Sequence, residues 1–189
     1  MLFPQKAKGF FVELNDHAVL LARTSSPVAP FTIEDMREAP AGDPAALEEA
    51  INQIQPKKSP SGYLHTTTGI YPSKRLVRRH SLELKRVKES GYFAEVCSQQ
   101  FRIEQDKYTI AILNAADGSD FDIAKGVQKD VIFCGLPTDD VNSIQASLLE
   151  AGIYPERLEL GSVATLGAVT DCLAHAKSKT PTLVLEIGA

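Results

Sequence analysis

Several familiar starting points are missing from this 189-residue sequence. It has three cysteines, Cys97, Cys134 and Cys172, spaced 37 and 38 residues apart. An odd count without a CxxC pair argues against a disulfide framework or a structural zinc site. No apolar run approaches the ~18 residues of a membrane span. The first nine residues carry lysines but no apolar stretch of the kind a signal peptide needs. Low-complexity segments are absent. Basic excess is absent too: 20 Lys and Arg stand against 24 Asp and Glu, a net −4. That balance speaks against a general nucleic-acid binder. With 43% hydrophobic residues, the chain is not of the disordered class either. The expectation is a soluble, cytoplasmic body that buries roughly 70% of its unfolded surface.

The chain reads as alternating strands and helices. Phe10–Leu14 and Ala18–Ala22 flank the turn residues Asn15 and Asp16, which predicts an antiparallel hairpin because the turn is too short for a crossover. A third strand is expected near 31–37. Asp43 then caps a helix opening on Pro44, with Leu47, Ala50, Ile51 and Ile54 on one face. In the last third, Val131–Cys134, a helix capped by Thr138, a strand near 157–160, a helix capped by Ser162 and a strand at Leu183–Ile187 suggest parallel strands with right-handed crossovers. The second of these helices should turn Val163, Leu166, Val169 and Leu173 inward. Between these blocks, a strand at Tyr63–Gly69, a helix over 84–101 and a strand at Thr109–Leu113 suggest a small α+β insertion.

Two strand ends share a pattern. Phe10-Phe11-Val12-Glu13-Leu14-Asn15 and Leu183-Val184-Leu185-Glu186-Ile187-Gly188 each place a glutamate inside an apolar strand, just before a residue tolerant of unusual backbone angles. A carboxylate there must reach water, a cation or a donor. Ligands of α/β sheets gather at the carboxyl ends of strands, where both glutamates are expected.

With the order of elements, these residues resemble the actin-like ATPase superfamily, and within it the PilM-like type IV pilus assembly proteins. FtsA and the cytoplasmic part of type II secretion GspL proteins are more distant matches. Ser147–Ile153 before a strand adds to the likeness. The resemblance covers nearly the whole chain as an order of elements, through short motifs. It implies an α/β, actin-like (ribonuclease H-like) domain with an inserted small α+β subdomain. Subdomain 1A would comprise 1–61 and 126–180, the 1C-like insertion 62–125, and 181–189 the first strand of a truncated second domain.

The resemblance also implies two phosphate-binding hairpins opening with Asp-x-Gly, where glycine lets backbone N–H groups approach phosphate and aspartate holds hydrated magnesium. This chain departs from that pattern. The corresponding positions are Glu13, Asn15, Asp16 and His17 at the first hairpin, and Glu186 and Gly188 at the second. Asn15 can take a left-handed turn, but its side chain fills space that glycine leaves open. Asp16 would repel a triphosphate unless a metal intervened. His17 is either a compensating cation or a turn residue. The expectation is a chain that neither binds ATP tightly nor hydrolyses it, with ATP and magnesium left to a full-length protein. The rival reading is an ATPase of the same superfamily with its second domain outside this chain. A ribonuclease-H-like nuclease ranks last, since Glu13 is the one strand acid placed for metal chemistry.

The implied partner is the cytoplasmic N-terminal peptide of a bitopic, PilN-like inner-membrane protein, which would hold the chain at the membrane periphery. A second candidate surface comes from charge. Lys74, Arg75, Arg78, Arg79, Lys85, Arg86 and Lys88 stand with only Glu83 against them, a local +6 that leaves −10 elsewhere. Such a run is either a solvated face or a contact for acidic lipid or an acidic partner. Nucleic acid is disfavoured because aromatic interleaving is missing. Cys134 before Gly135 lacks any nucleophile-elbow surround and reads as a buried structural cysteine, as do Cys97 and Cys172. His65 and His80 have no metal-ligand spacing.

Overall fold

A computed structural model describes residues 7–55, 57, 59–124 and 128–184. The chain divides into two compact units. The first comprises residues up to Tyr71 and from Gln145 onward; the second is Pro72–Ile144. The second is therefore an insertion in the first.

The first unit is built on a five-stranded mixed sheet in the order β3-β2-β1-β4-β8. Strands β1 (Gly9–Leu14), β2 (Ala18–Thr24) and β3 (Ile33–Pro40) form an antiparallel meander, while β4 (Leu64–Ile70) and β8 (Ile153–Leu160) run parallel to β1. Period-two patterning explains β4, whose Leu64, Thr66, Thr68 and Ile70 are buried in alternation. The two buried threonine hydroxyls bond each other at 2.8 Å, which lets polar atoms sit in the core without loss. Helix α1 (Pro44–Ile54) starts as its sequence requires: the Asp43 carboxylate accepts the Ala46 N–H at 3.0 Å, and Pro44 occupies the first turn. Its Ala50 and Ile54 are buried.

The second unit is an antiparallel sheet in the order β5-β7-β6, made of β5 (Leu76–Ser81), β6 (Tyr108–Asn114) and β7 (Asp130–Pro137), with α2 (Tyr92–Gln100). Its core gathers Leu76, Leu82, Val87, Val96, Val131 and the fully buried Phe133. The Phe101 ring meets Phe133 edge-on at 5.0 Å.

Several expectations change. The strand at 63–69 is not part of the insertion but lies inside the five-stranded sheet, because its alternating burial needs cover on one face and β1 and β8 on its edges. Conversely, Val131–Cys134 lies in the middle strand of the inserted antiparallel sheet, not in a parallel series. The unit boundaries accordingly fall at 71/72 and 144/145 rather than at 61/62 and 125/126. The long helix expected over 84–101 is confined to α2, since Gly91 sits at φ 85° and breaks helical continuity at its start. Helix α3 (Thr138–Glu150) takes Thr138 as its first residue rather than as the cap before it. Helix α4 (Gly161–His175) begins one residue before Ser162, which is therefore not its cap, and Leu166 is 49% exposed rather than inward. Residues 181–184 carry no strand pairing, and the remainder of the expected final strand lies outside the described residues, as do Glu186 and Gly188.

Candidate functional site

Because β1, β4 and β8 are parallel, their carboxyl ends lie together. Register fixes what meets there: Glu13 is opposite Leu20 and Gly69, Leu20 is opposite Glu38, and Gly69 is opposite Glu159. One sheet face thus carries a row with three carboxylates, Glu38, Glu13 and Glu159. Glu159 is paired with Arg157 at 3.2 Å; no described ion pair reaches Glu13.

The β1–β2 turn is closed by Asn15. Its side-chain oxygen accepts the N–H groups of His17 (3.0 Å) and Ala18 (2.8 Å), and its own N–H bonds the Ala18 carbonyl at 3.1 Å. This is an Asx turn, in which the carboxamide takes up backbone donors that a glycine-type loop would leave pointing outward. The non-glycine residues at positive φ among those described are Arg102 and Lys177, so Asn15 does not adopt the left-handed conformation open to it. Asp16 and His17 are exposed. The His17 carbonyl accepts from Ala41 N–H at 2.8 Å, a backbone tie between the hairpin and the end of β3.

The same end of the sheet holds the start of α4. A Cβ built at Gly161 would fall within the ring of Tyr71, so the aromatic ring lies directly against the helix N-terminus. Only glycine permits that approach.

In the inserted unit the basic segment splits by function. Arg86 is a hub: its guanidinium grips Glu95 bidentately at 3.1 and 2.6 Å, reaches Glu89 at 2.9 Å and lies 5.1 Å above the Tyr92 ring. The hydrogen bonds from Arg86 hold the Glu95 carboxyl below its ordinary range. Arg79 pairs with Asp130 at 3.1 Å, and Ser81 and Arg79 together lower the Asp130 carboxyl. Arg75 and Arg78 donate to the nearby carbonyls of Pro72 and Val77. Lys74, Arg75, Arg78, Lys85 and Lys88 are exposed and appear in no described ion pair.

Cys97 and Cys134 are buried, and burial pushes both thiols up, away from the reactive thiolate. Cys172 is exposed instead of buried. His80 packs edge-on against Phe101 and Phe133. His65, which has no metal-ligand spacing in sequence, meets Ser61 and Glu156. The His65–Glu156 contact joins residues 91 positions apart, across a strand pairing that the sequence does not reveal. Among the described residues there is no His, Cys, Asp and Glu cluster able to hold a metal ion, and no helix is long and apolar enough to cross a membrane.

This architecture is an α/β, actin-like fold carrying an inserted subdomain. No family model and no curated protein sequence matches the chain. Solved structures do. The chain is similar to a structure described as the PilM-PilN type IV pilus biogenesis complex, with a TM-score of 0.61 and 15% identity, covering 90% of this chain and 52% of that one. It is also similar to the cytoplasmic domain of EpsL, an inner-membrane component of the type II secretion system of Vibrio cholerae, with a TM-score of 0.53 and 8% identity over 80% of this chain and 56% of the other. The chain therefore spans about half the length of these neighbours. At such identities the likeness establishes the fold.

Proposed function

We propose that this chain is a docking domain of a type IV pilus or type II secretion-like assembly, a scaffold that binds the N-terminal cytoplasmic peptide of a PilN-like inner-membrane protein and does not hydrolyse ATP. The likeness to the PilM-PilN structure at a TM-score of 0.61 carries this reading. The hairpin supports its non-enzymatic half. Asn15 consumes the turn's N–H groups, Asp16 adds a carboxylate, and Tyr71 covers the start of α4. A triphosphate needs free backbone donors and positive charge at such a point, and a row with three carboxylates supplies the opposite. The residues present do not fit ATP and magnesium.

Peptide docking on an α/β scaffold uses sheet-edge hydrogen bonds and apolar pockets, so it asks nothing of Glu13. The exposed Lys74, Arg75, Arg78, Lys85 and Lys88 are a second, peripheral contact for anionic lipid, adding about 1 kcal/mol each near a charged surface. Titration calorimetry with Mg-ATP on the wild type and on Glu13→Lys tests the reading. The expected result is no saturable heat for either protein and unchanged peptide binding by the variant. Micromolar nucleotide binding that Glu13→Lys abolishes would establish the ATPase reading instead.

A further inference from the structure

The opposite end of the five-stranded sheet carries a constellation separate from the β1–β2 hairpin. Strands β4 and β8 begin there side by side, with Leu64 opposite Ile153 and His65 opposite Tyr154. The ladder then slips: Thr66 faces Pro155 while Thr67 faces Arg157, which leaves Glu156 as the extra residue of a β-bulge. Bulges re-aim side chains, and here Glu156 Oε1 lies 3.1 Å from His65 Nδ1. The other ring nitrogen, Nε2, is 2.7 Å from Ser61 Oγ in the loop leading into β4. The Tyr154 ring lies 5.0 Å from the imidazole and supports it.

Proton positions follow from chemistry. An ionised carboxylate only accepts, so Nδ1 carries the proton facing Glu156. In the tautomer the relay uses, Nε2 is the acceptor and the Ser61 hydroxyl donates to it, while the single Ser59 proton is shared between the Tyr63 carbonyl and Ser61 Oγ. Ser59 Oγ, 2.7 Å from Ser61 Oγ and 2.6 Å from the Tyr63 carbonyl, holds the serine loop in place. The Tyr63 N–H points at Ser61 Oγ from 3.4 Å. Nucleophile, base and orienting acid are thus connected in the order a serine relay needs.

We propose that Ser61, His65 and Glu156 form a nucleophilic relay that accepts an acyl group from activated esters. Ser61 Oγ bonds to the carbonyl carbon while its proton passes to His65 Nε2. The tetrahedral adduct collapses, the ester C–O bond breaks, and His65 returns the proton to the departing alcohol. Water repeats the cycle on the acyl-serine and releases the acid. Tyr63 and Tyr154, 36% and 45% exposed with ring centroids 6.4 Å apart, offer an apolar platform beside the serine for an aryl or acyl group. The site is open: the side chains of His65 and Glu156 are 37% and 62% exposed. The Tyr63 N–H points at the serine oxygen itself, so covalent occupancy of Ser61 by activated esters is the quantity to read.

The test is to react the whole chain with a fluorophosphonate probe and with p-nitrophenyl acetate, following intact mass, peptide mapping and the pH dependence of the labelling rate. One adduct is expected, on Ser61. His65→Gln should slow it about 100-fold, in line with the loss of a general base. Glu156→Gln, removing an exposed positioning carboxylate, should slow it about tenfold and displace the pH profile. Circular dichroism verifies that each variant is folded. No adduct on Ser61, or a labelling rate indifferent to His65→Gln, overturns the proposal. Either outcome leaves the docking reading where it stood, since that rests on other residues.

Discussion

At the scale of single residues, two positions carry unusual weight. Gly161 admits the Tyr71 ring against the start of α4, and a methyl there must push the ring away. Overpacking of this kind typically costs about 1–3 kcal/mol, so Gly161→Ala should lower stability by that amount in urea unfolding, with the midpoint moving and the slope unchanged. In the observed turn the Asn15 side-chain oxygen accepts two backbone N–H groups. Asn15→Ala should therefore cost about 1–2 kcal/mol in the same assay, while Asn15→Asp, which keeps the acceptor, should stay close to wild type. Residue-level legibility was uneven in an instructive way. Asp43 announced its cap because capping is local chemistry. The partnership of Ser61, His65 and Glu156 was invisible, because it depends on a bulge in a pairing of strands distant in sequence.

At the scale of elements, the inserted unit shows how a basic segment divides its labour. Arg86 joins the turn following β5 to α2 through Glu89 and Glu95, and its guanidinium also covers Tyr92. The Glu95 carboxyl lies below its ordinary value of 4.5 in the folded chain, chiefly through its hydrogen bonds to Arg86. A carboxyl depressed on folding binds fewer protons in the native than in the unfolded state. Its stabilisation is therefore complete above the unfolded value and fades as pH falls below about 4.5 toward the folded one. Asp130, depressed from an ordinary 3.8, adds to the same acid limb. Glu95→Gln should flatten the loss of stability on acidification through that range, measured as the urea midpoint against pH. An unchanged acid limb would remove Glu95 from the account. Vesicle binding belongs to this scale as well. Charge reversal at Lys74, Arg78 and Lys88 should weaken association with anionic vesicles and spare stability, because these side chains are exposed and in no described ion pair.

At the scale of the whole molecule, most of the order of strands and helices was readable because helix caps, turns and apolar periodicity are local; β5 was missed, because its basic residues read only as a charged run. The grouping of strands into sheets was not readable. The strand at 63–69 alternates in a way that suits any sheet with one covered face, and only tertiary pairing assigns it beside β1. The run Val131–Cys134 reads as a buried parallel strand because both its faces are covered, yet its burial comes from the middle position of an antiparallel sheet and an aromatic core. The β1–β2 hairpin was legible as two apolar strands flanking Asn15 and Asp16. The carboxamide that takes up two of the turn's own N–H groups required the fold.

The central claim is that this actin-like domain serves docking without nucleotide. It is tested most directly by fluorescence anisotropy of a labelled N-terminal cytoplasmic peptide of a PilN-like protein, titrated with the chain in the presence and absence of millimolar Mg-ATP. The account predicts one saturable binding curve that Mg-ATP leaves in place. A peptide that fails to bind, or binds only when Mg-ATP is added, would contradict it.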